Sequence, residues 1–269
     1  MMEFLSNCLL LDLETTQQGL ILKIGAALGD REFLRSGRFD HGAAVLELSR
    51  FAETASCVAG HNIVRHDLAA LADVNPASAL LSLPAADTLF LSPICFPENP
   101  YHRLVKDYKL VSESLNDPVA DARLAGTLLA EEIESLRGMA QAAPDVFCCL
   151  RFLLCRDTGG DTRVAEGMKR VFEEAAGPAS PAEPEGRAIL SALIGRMACR
   201  TAVRFLSESD FSTGEARWAL AYALTWLRVA GADSVLPPWV RLHNPMVVPL
   251  MARLRDVPCD DPACAYCRS

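Results

Sequence analysis

Apolar positions come first as an unbroken run, CLLLDL at residues 8–13, closed by an acidic residue. Such a run predicts a buried strand. Residues 20–28 (LILKIGAAL) and 31–35 (REFLR) predict the next two strands, with Gly29-Asp30 as the turn between them. Residues 43–54 then carry apolar positions at helical spacing, 56–59 form a short apolar strand candidate, and 66–73 begin another helix. The following stretch holds Pro84, Pro93, Pro97 and Pro100 and predicts a loop-rich segment. From 119 to 137, leucines and alanines return at helical spacing, and Pro118 suits the first helical position. Strands followed by alternating strands and helices predict an α/β layer domain over residues 1–140.

The texture changes in the second half. Residues 145–156 and 164–175 predict helices, and 177–187 (GPASPAEPEGR) reads as a linker or exposed loop. Helical patterning fills 188–230, LPPWVRLHNP at 236–245 breaks it, and 246–255 predicts a last short helix before the ending PCDDPACAYCRS. Residues 141–269 are thus expected to form a smaller, mostly α-helical region. Trp218, Trp226 and Trp239 are expected in its core and not on a binding surface. The sequence has no internal repeat.

Composition narrows the function. The chain has 269 residues, of which 51% are hydrophobic and 22% charged, enough for two folded domains. Its net charge of −8 argues against a broad surface that coats DNA without sequence preference. A nuclease remains compatible, because acidic metal ligands themselves lower the total. Neither a secretory signal nor an apolar run of membrane-spanning length is visible, so no membrane role is expected. Ten cysteines, several inside apolar runs such as VFCCLRFLLC, predict buried free thiols in a reducing, cytoplasmic setting. The sequence contains no G-x-x-x-x-G-K-[ST], so nucleotide hydrolysis through a P-loop is not expected.

The candidate chemistry lies in carboxylates. Asp12 and Glu14, two residues apart at a strand end, project to one side because strand side chains alternate. Hard cations such as Mg²⁺ or Mn²⁺ need several such oxygens converging from different elements. Asp67, in GHNIVRHDL, begins a helix and either faces that pair or caps the helix. Asp121, in NDPVADARLAGTLL, shares a helix side with Ala125 and Leu128. It needs a cation or partner there, or else serves as a favourable charge near a helix N-terminus.

LLLDLETT, GHNIVRHDLAAL and the Asp121 helix occur in the order, and near the spacing, of the three motifs of DnaQ-like (DEDD) 3′→5′ exonucleases; ADTL at 86–89 is also similar to that family. The resemblance covers about residues 6–137. It implies an RNase H-like domain with a mixed sheet flanked by helices, and Asp12, Glu14, Asp67 and Asp121 as ligands of two Mg²⁺ or Mn²⁺ ions. It further implies two-metal hydrolysis of phosphodiesters at single-stranded or unpaired 3′ ends of DNA or RNA, with Thr15, His61 and Asn62 contacting the nucleic acid. The family's usual histidine, five residues before the last aspartate, is replaced by Asn116, and its alternative tyrosine, four before, by Asp117. Asparagine accepts no proton at neutral pH. The alternatives are a different general base (His102, His66 or Asp117), hydrolysis without one, or a domain that binds without catalysing. Asn116-Asp117-Pro118 also has the pattern of a helix cap.

NPYHRLVKDYKL at 99–110 resembles the exonuclease segments at the N-terminus of some bacterial RecQ-type helicases, which implies a helicase motor as partner. Its Tyr101, His102, Arg103, Lys106 and Lys109 either meet a single-strand backbone and base or form a solvated charged face. Cys259, Cys264 and Cys267 are spaced C-x₄-C-x₂-C, a zinc-type spacing lacking one ligand. His243, Cys199 or a residue beyond Ser269 are the candidates for the fourth. The same spacing also fits an iron–sulfur protein or unliganded thiols.

Overall fold

The computed structural model describes residues 2–98, 117–156, 162–199, 201, 213–229, 237–256, 259, 261–264 and 267. The apolar runs become strands: β1 (Cys8–Thr15), β2 (Ile21–Leu28) and β3 (Arg31–Arg35) form an antiparallel meander. β4 (Cys57–Gly60) lies parallel to β1, and β5 (Ala85–Asp87) parallel to β4. The five strands make one mixed sheet in the order β3-β2-β1-β4-β5, so the protein is α/β.

Strand alternation divides β1 into two faces. Leu9, Leu11 and Leu13 are buried in a core with Ile24, Val45, Leu48, Leu68 and Leu71. Two helices supply that core's other side, α2 (His41–Phe51) and α3 (Asp67–Val74). Asp40 caps α2 by accepting the Ala43 N–H at 2.7 Å. The opposite face of β1 carries Leu10, Asp12 and Glu14, all half-buried.

Further helices are α1 (Met2–Ser6), α4 (Thr88–Cys95), α5 (Pro118–Ala142), α6 (Pro144–Leu154), α7 (Thr162–Ala176), α8 (Glu183–Met197), α9 (Gly214–Val229), α10 (Pro238–His243) and α11 (Val247–Asp256). None of the described helices is long and apolar enough to cross a membrane. Three expectations are corrected. The segment from Pro84 is not loop-rich as far as Cys95: it holds β5 and α4, with Pro93 inside the helix. Only one helical N–H is lost at Pro93, and apolar burial of Leu91 and Ile94 holds the turn. The loop expected over 177–187 ends at Ala182, because Pro184 sits in the first turn of α8, where a missing N–H costs nothing. Pro238 likewise begins α10, so 236–245 contains a helix.

The described residues group into two compact units. The first comprises residues up to Leu91, α5 as far as Glu134, and Arg163–Glu174 of α7. In it, Gly167 lets α7 lie directly on β5: a Cβ there would stand 2.0 Å from the Ala85 carbonyl oxygen. In the second, α6 packs on α8 and α9, and α9 on α11. Trp226 is buried, and Trp218 and Trp239 pack on buried Tyr222 with ring centroids 5.6 and 6.0 Å away. Trp226 is thus a core position, while Trp218 and Trp239 are half-buried.

Candidate functional site

Asp12 and Glu14 lie on one face of β1, and a register shift follows directly after Glu14. The cross-strand partner of Asp12 is Gly25 of β2. A Cβ on Gly25 would fall 2.2 Å from the Pro118 carbonyl carbon, so glycine there lets the start of α5 rest on the strand beside Asp12. Asp117 sets that start: its Oδ1 accepts the N–H groups of Val119 (3.0 Å) and Ala120 (3.2 Å). The expected cap thus forms, with Pro118 in the first helical position. About two turns further along, Gly126 passes Leu10 closely enough that a Cβ would meet its Cδ1 at 2.4 Å.

These approaches bring Asp121 to the strand pair. Carboxylate oxygens of Asp12, Glu14 and Asp121 lie within 4.8 Å of one another, and all three residues are half-buried. Like charges this close repel by about 1–4 kcal/mol per pair between aqueous and protein-surface dielectric. The group can hold a metal ion.

Asp67 stands outside that group of mutual 4.8 Å contacts and meets β1 between Asp12 and Glu14. It is 1% exposed, and its Oδ1 accepts the Leu13 N–H at 2.7 Å. Burial raises its pKa, against the lowering effect of His66. From the start of α3 the side chain reaches the main chain of β1 between the two acidic residues. His66 joins the same contacts. Its Nδ1 stands 3.5 Å from Asp67 Oδ1 and its Nε2 3.0 Å from Thr15 Oγ1. Its pKa is raised, first by hydrogen bonding to Asp67 and further by the negative charges of Asp67, Asp12 and Glu14, against burial. Thr15, expected to contact nucleic acid, is thereby tied to His66.

The turn after β4 is held by two residues that motif spacing does not single out as functional. Buried Asp87 accepts N–H groups from Asn62 (2.9 Å), Val64 (3.1 Å) and Leu89 (3.0 Å). Burial nevertheless pushes its pKa up to about 7. Thr88 Oγ1 lies 2.9 Å from His61 Nδ1 and donates to the Gly60 carbonyl at 3.3 Å. Asn62 has φ 64°, a left-handed conformation that asparagine tolerates better than most residues. The ADTL segment was the available signal for both Asp87 and Thr88.

The second unit contains another convergence. Sγ atoms of Cys199, Cys259, Cys264 and Cys267 lie within 4.8 Å of one another, and this group can also hold a metal ion. Cys199 therefore joins the three tail cysteines, while His243 is not in the group. No family model matches the chain, and neither curated proteins nor solved structures yield a match. Tyr101, His102, Arg103, Lys106, Lys109 and Asn116 lie outside the described residues.

Proposed function

We propose that the first unit is a divalent-cation-dependent 3′→5′ exonuclease of the DnaQ-like type, acting on single-stranded or unpaired 3′ ends of DNA or RNA. The observation that carries this reading is the meeting of Asp12, Glu14 and Asp121 from a strand end and a distant helix start. An all-oxygen, half-buried donor set suits Mg²⁺ or Mn²⁺ better than softer ions. When bound, such cations polarise a phosphoryl oxygen and ease deprotonation of water. The mixed sheet, an antiparallel meander extended by two parallel strands, supports an RNase H-like assignment.

Each residue then has a task. Asp12, Glu14 and Asp121 hold the cations and so place the phosphate. Asp67 works one step behind them, fixing β1 through Leu13 and orienting His66. Asp117 spends an oxygen on the α5 cap, which leaves His66, with its side chain 42% exposed, as the described candidate for receiving a proton. Asp87 and Thr88 shape the His61–Asn62 turn that lies along the substrate strand.

The test uses oligonucleotides labelled at either end, with Mg²⁺ or Mn²⁺. A 5′-labelled strand should shorten progressively and a 3′-labelled one should release its label at once. Asp12→Ala should lower the rate by about 10²–10³, corresponding to loss of several kcal/mol of charge stabilisation. No shortening at high enzyme concentration, or an unchanged Asp12→Ala variant, removes the exonuclease reading.

The capping role of Asp117, together with Asn116 in the family's histidine position, favours a second reading. In it, the domain binds nucleic-acid ends or a helicase-type partner without cutting. Activity that appears only in Asn116→His would support this alternative, whereas activity in the wild-type chain would reject it.

A further inference from the structure

We propose that Cys199, Cys259, Cys264 and Cys267 form a closed, mononuclear Zn²⁺ site that clips the tail of the chain to the end of α8. This goes beyond the nuclease reading and is independent of it. Three of the sulfurs come from the C-x₄-C-x₂-C tail, and the fourth comes from just past the last turn of α8. Sulfurs bound tetrahedrally to one zinc at about 2.3 Å lie about 3.8 Å apart. Here Cys199 and Cys264 Sγ are 4.0 Å apart, and all four fall within 4.8 Å of one another.

That spacing separates the alternatives. A disulfide would hold two sulfurs at about 2.05 Å, and none of the four cysteines forms one. An iron–sulfur cluster places several iron atoms between its thiolates and spreads them wider than one ion does. Four thiolates around a single ion leave no coordination position for water or substrate, which defines a structural and not a catalytic site. Local backbone supports the convergence. Asp261 Oδ1 accepts the Ala263 N–H at 2.8 Å, and the Cys264 N–H donates to the Asp261 carbonyl at 3.1 Å, turning Cys264 inward until it is fully buried. Cys199 is 3% exposed. Zinc here closes a long chain loop that contains α9, α10 and α11, the situation in which a metal clip constrains the unfolded chain most.

The full chain, purified under reducing conditions and freed of loosely held ions by gel filtration, should carry about one zinc per chain by elemental mass spectrometry. Cys199→Ser and Cys264→Ser should each lose most of it. Cys148→Ser and Asp12→Ala, which change residues outside the thiol cluster, should retain it. Cobalt added in place of zinc should give the visible ligand-field bands of a tetrahedral tetrathiolate. A wild-type chain that binds neither metal after zinc or cobalt titration overturns the proposal. So does iron in place of zinc, or an intact mass four hydrogens lighter, which means two disulfides. These measurements read metal and thiols directly, so failure of the nuclease assay leaves them unaffected.

Discussion

The carboxylate group of the first unit and the thiol group of the second use one device, side chains distant in sequence held within 4.8 Å, and opposite chemistry. Asp12, Glu14 and Asp121 stand on a regular strand and helix whose positions are fixed by main-chain contacts: Gly25 under Pro118, the Asp117 cap, and Asp67 on Leu13. Three of the four thiols stand on a tail shaped by turn contacts around Asp261. The difference separates scaffold from cargo. On the two proposals, the oxygen site would be assembled by the fold and could exchange its ion, whereas the sulfur site would make its ion part of the fold.

That contrast can be broken at three points, from the largest expected effect to the smallest. Buried Asp87 has a pKa near 7 in the fold against an ordinary value of 3.8. Between those values the unfolded chain has lost the proton and the fold retains it. Stability should therefore fall as pH rises from about 4 to about 7, by about 1.4 kcal/mol per pH unit, and level off above. Urea unfolding of the chain in chelator should show this slope, and Asp87→Asn should flatten it. Asp87→Asn should also be less stable in acid, since its amide would oppose the Val64 N–H. An unchanged slope would mean that Asp87 is ionised throughout.

Gly25→Val comes next. Its side chain would collide with Pro118, costing about 1–3 kcal/mol by overpacking, and should weaken Mn²⁺ binding measured by calorimetry. Zinc content should stay unchanged. Equal loss of both metals would show that the two sites are not independently built. Asp117→Ala should cost about 0.5–2 kcal/mol in urea unfolding through loss of the α5 cap.

β1 to β4 were legible because their apolar runs are distinct, whereas β5 is three residues long and lies inside a Pro-rich segment. Asp12, Glu14 and Asp121 were legible because they occur in an ordered set of motifs. Asp67 was not, since an aspartate at a helix start looks the same whether it binds a cation, caps the helix or holds a neighbouring strand. A glycine inside LILKIGAAL signals a close approach without saying what approaches. Pro93 read as a breaker because the burial that tolerates it comes from tertiary packing. Cys199 stood among several candidate partners for the tail cysteines, because the length of chain between them carries no information about where the end of α8 lies.

The contact between Gly25 and Pro118 has a further consequence. Strand and helix there touch through main-chain atoms, which have no rotamers with which to adjust. The distance between the main chains that carry the acids on β1 and the acid on α5 is therefore set by atoms that cannot repack. A single methyl group added at position 25 would hold strand and helix apart.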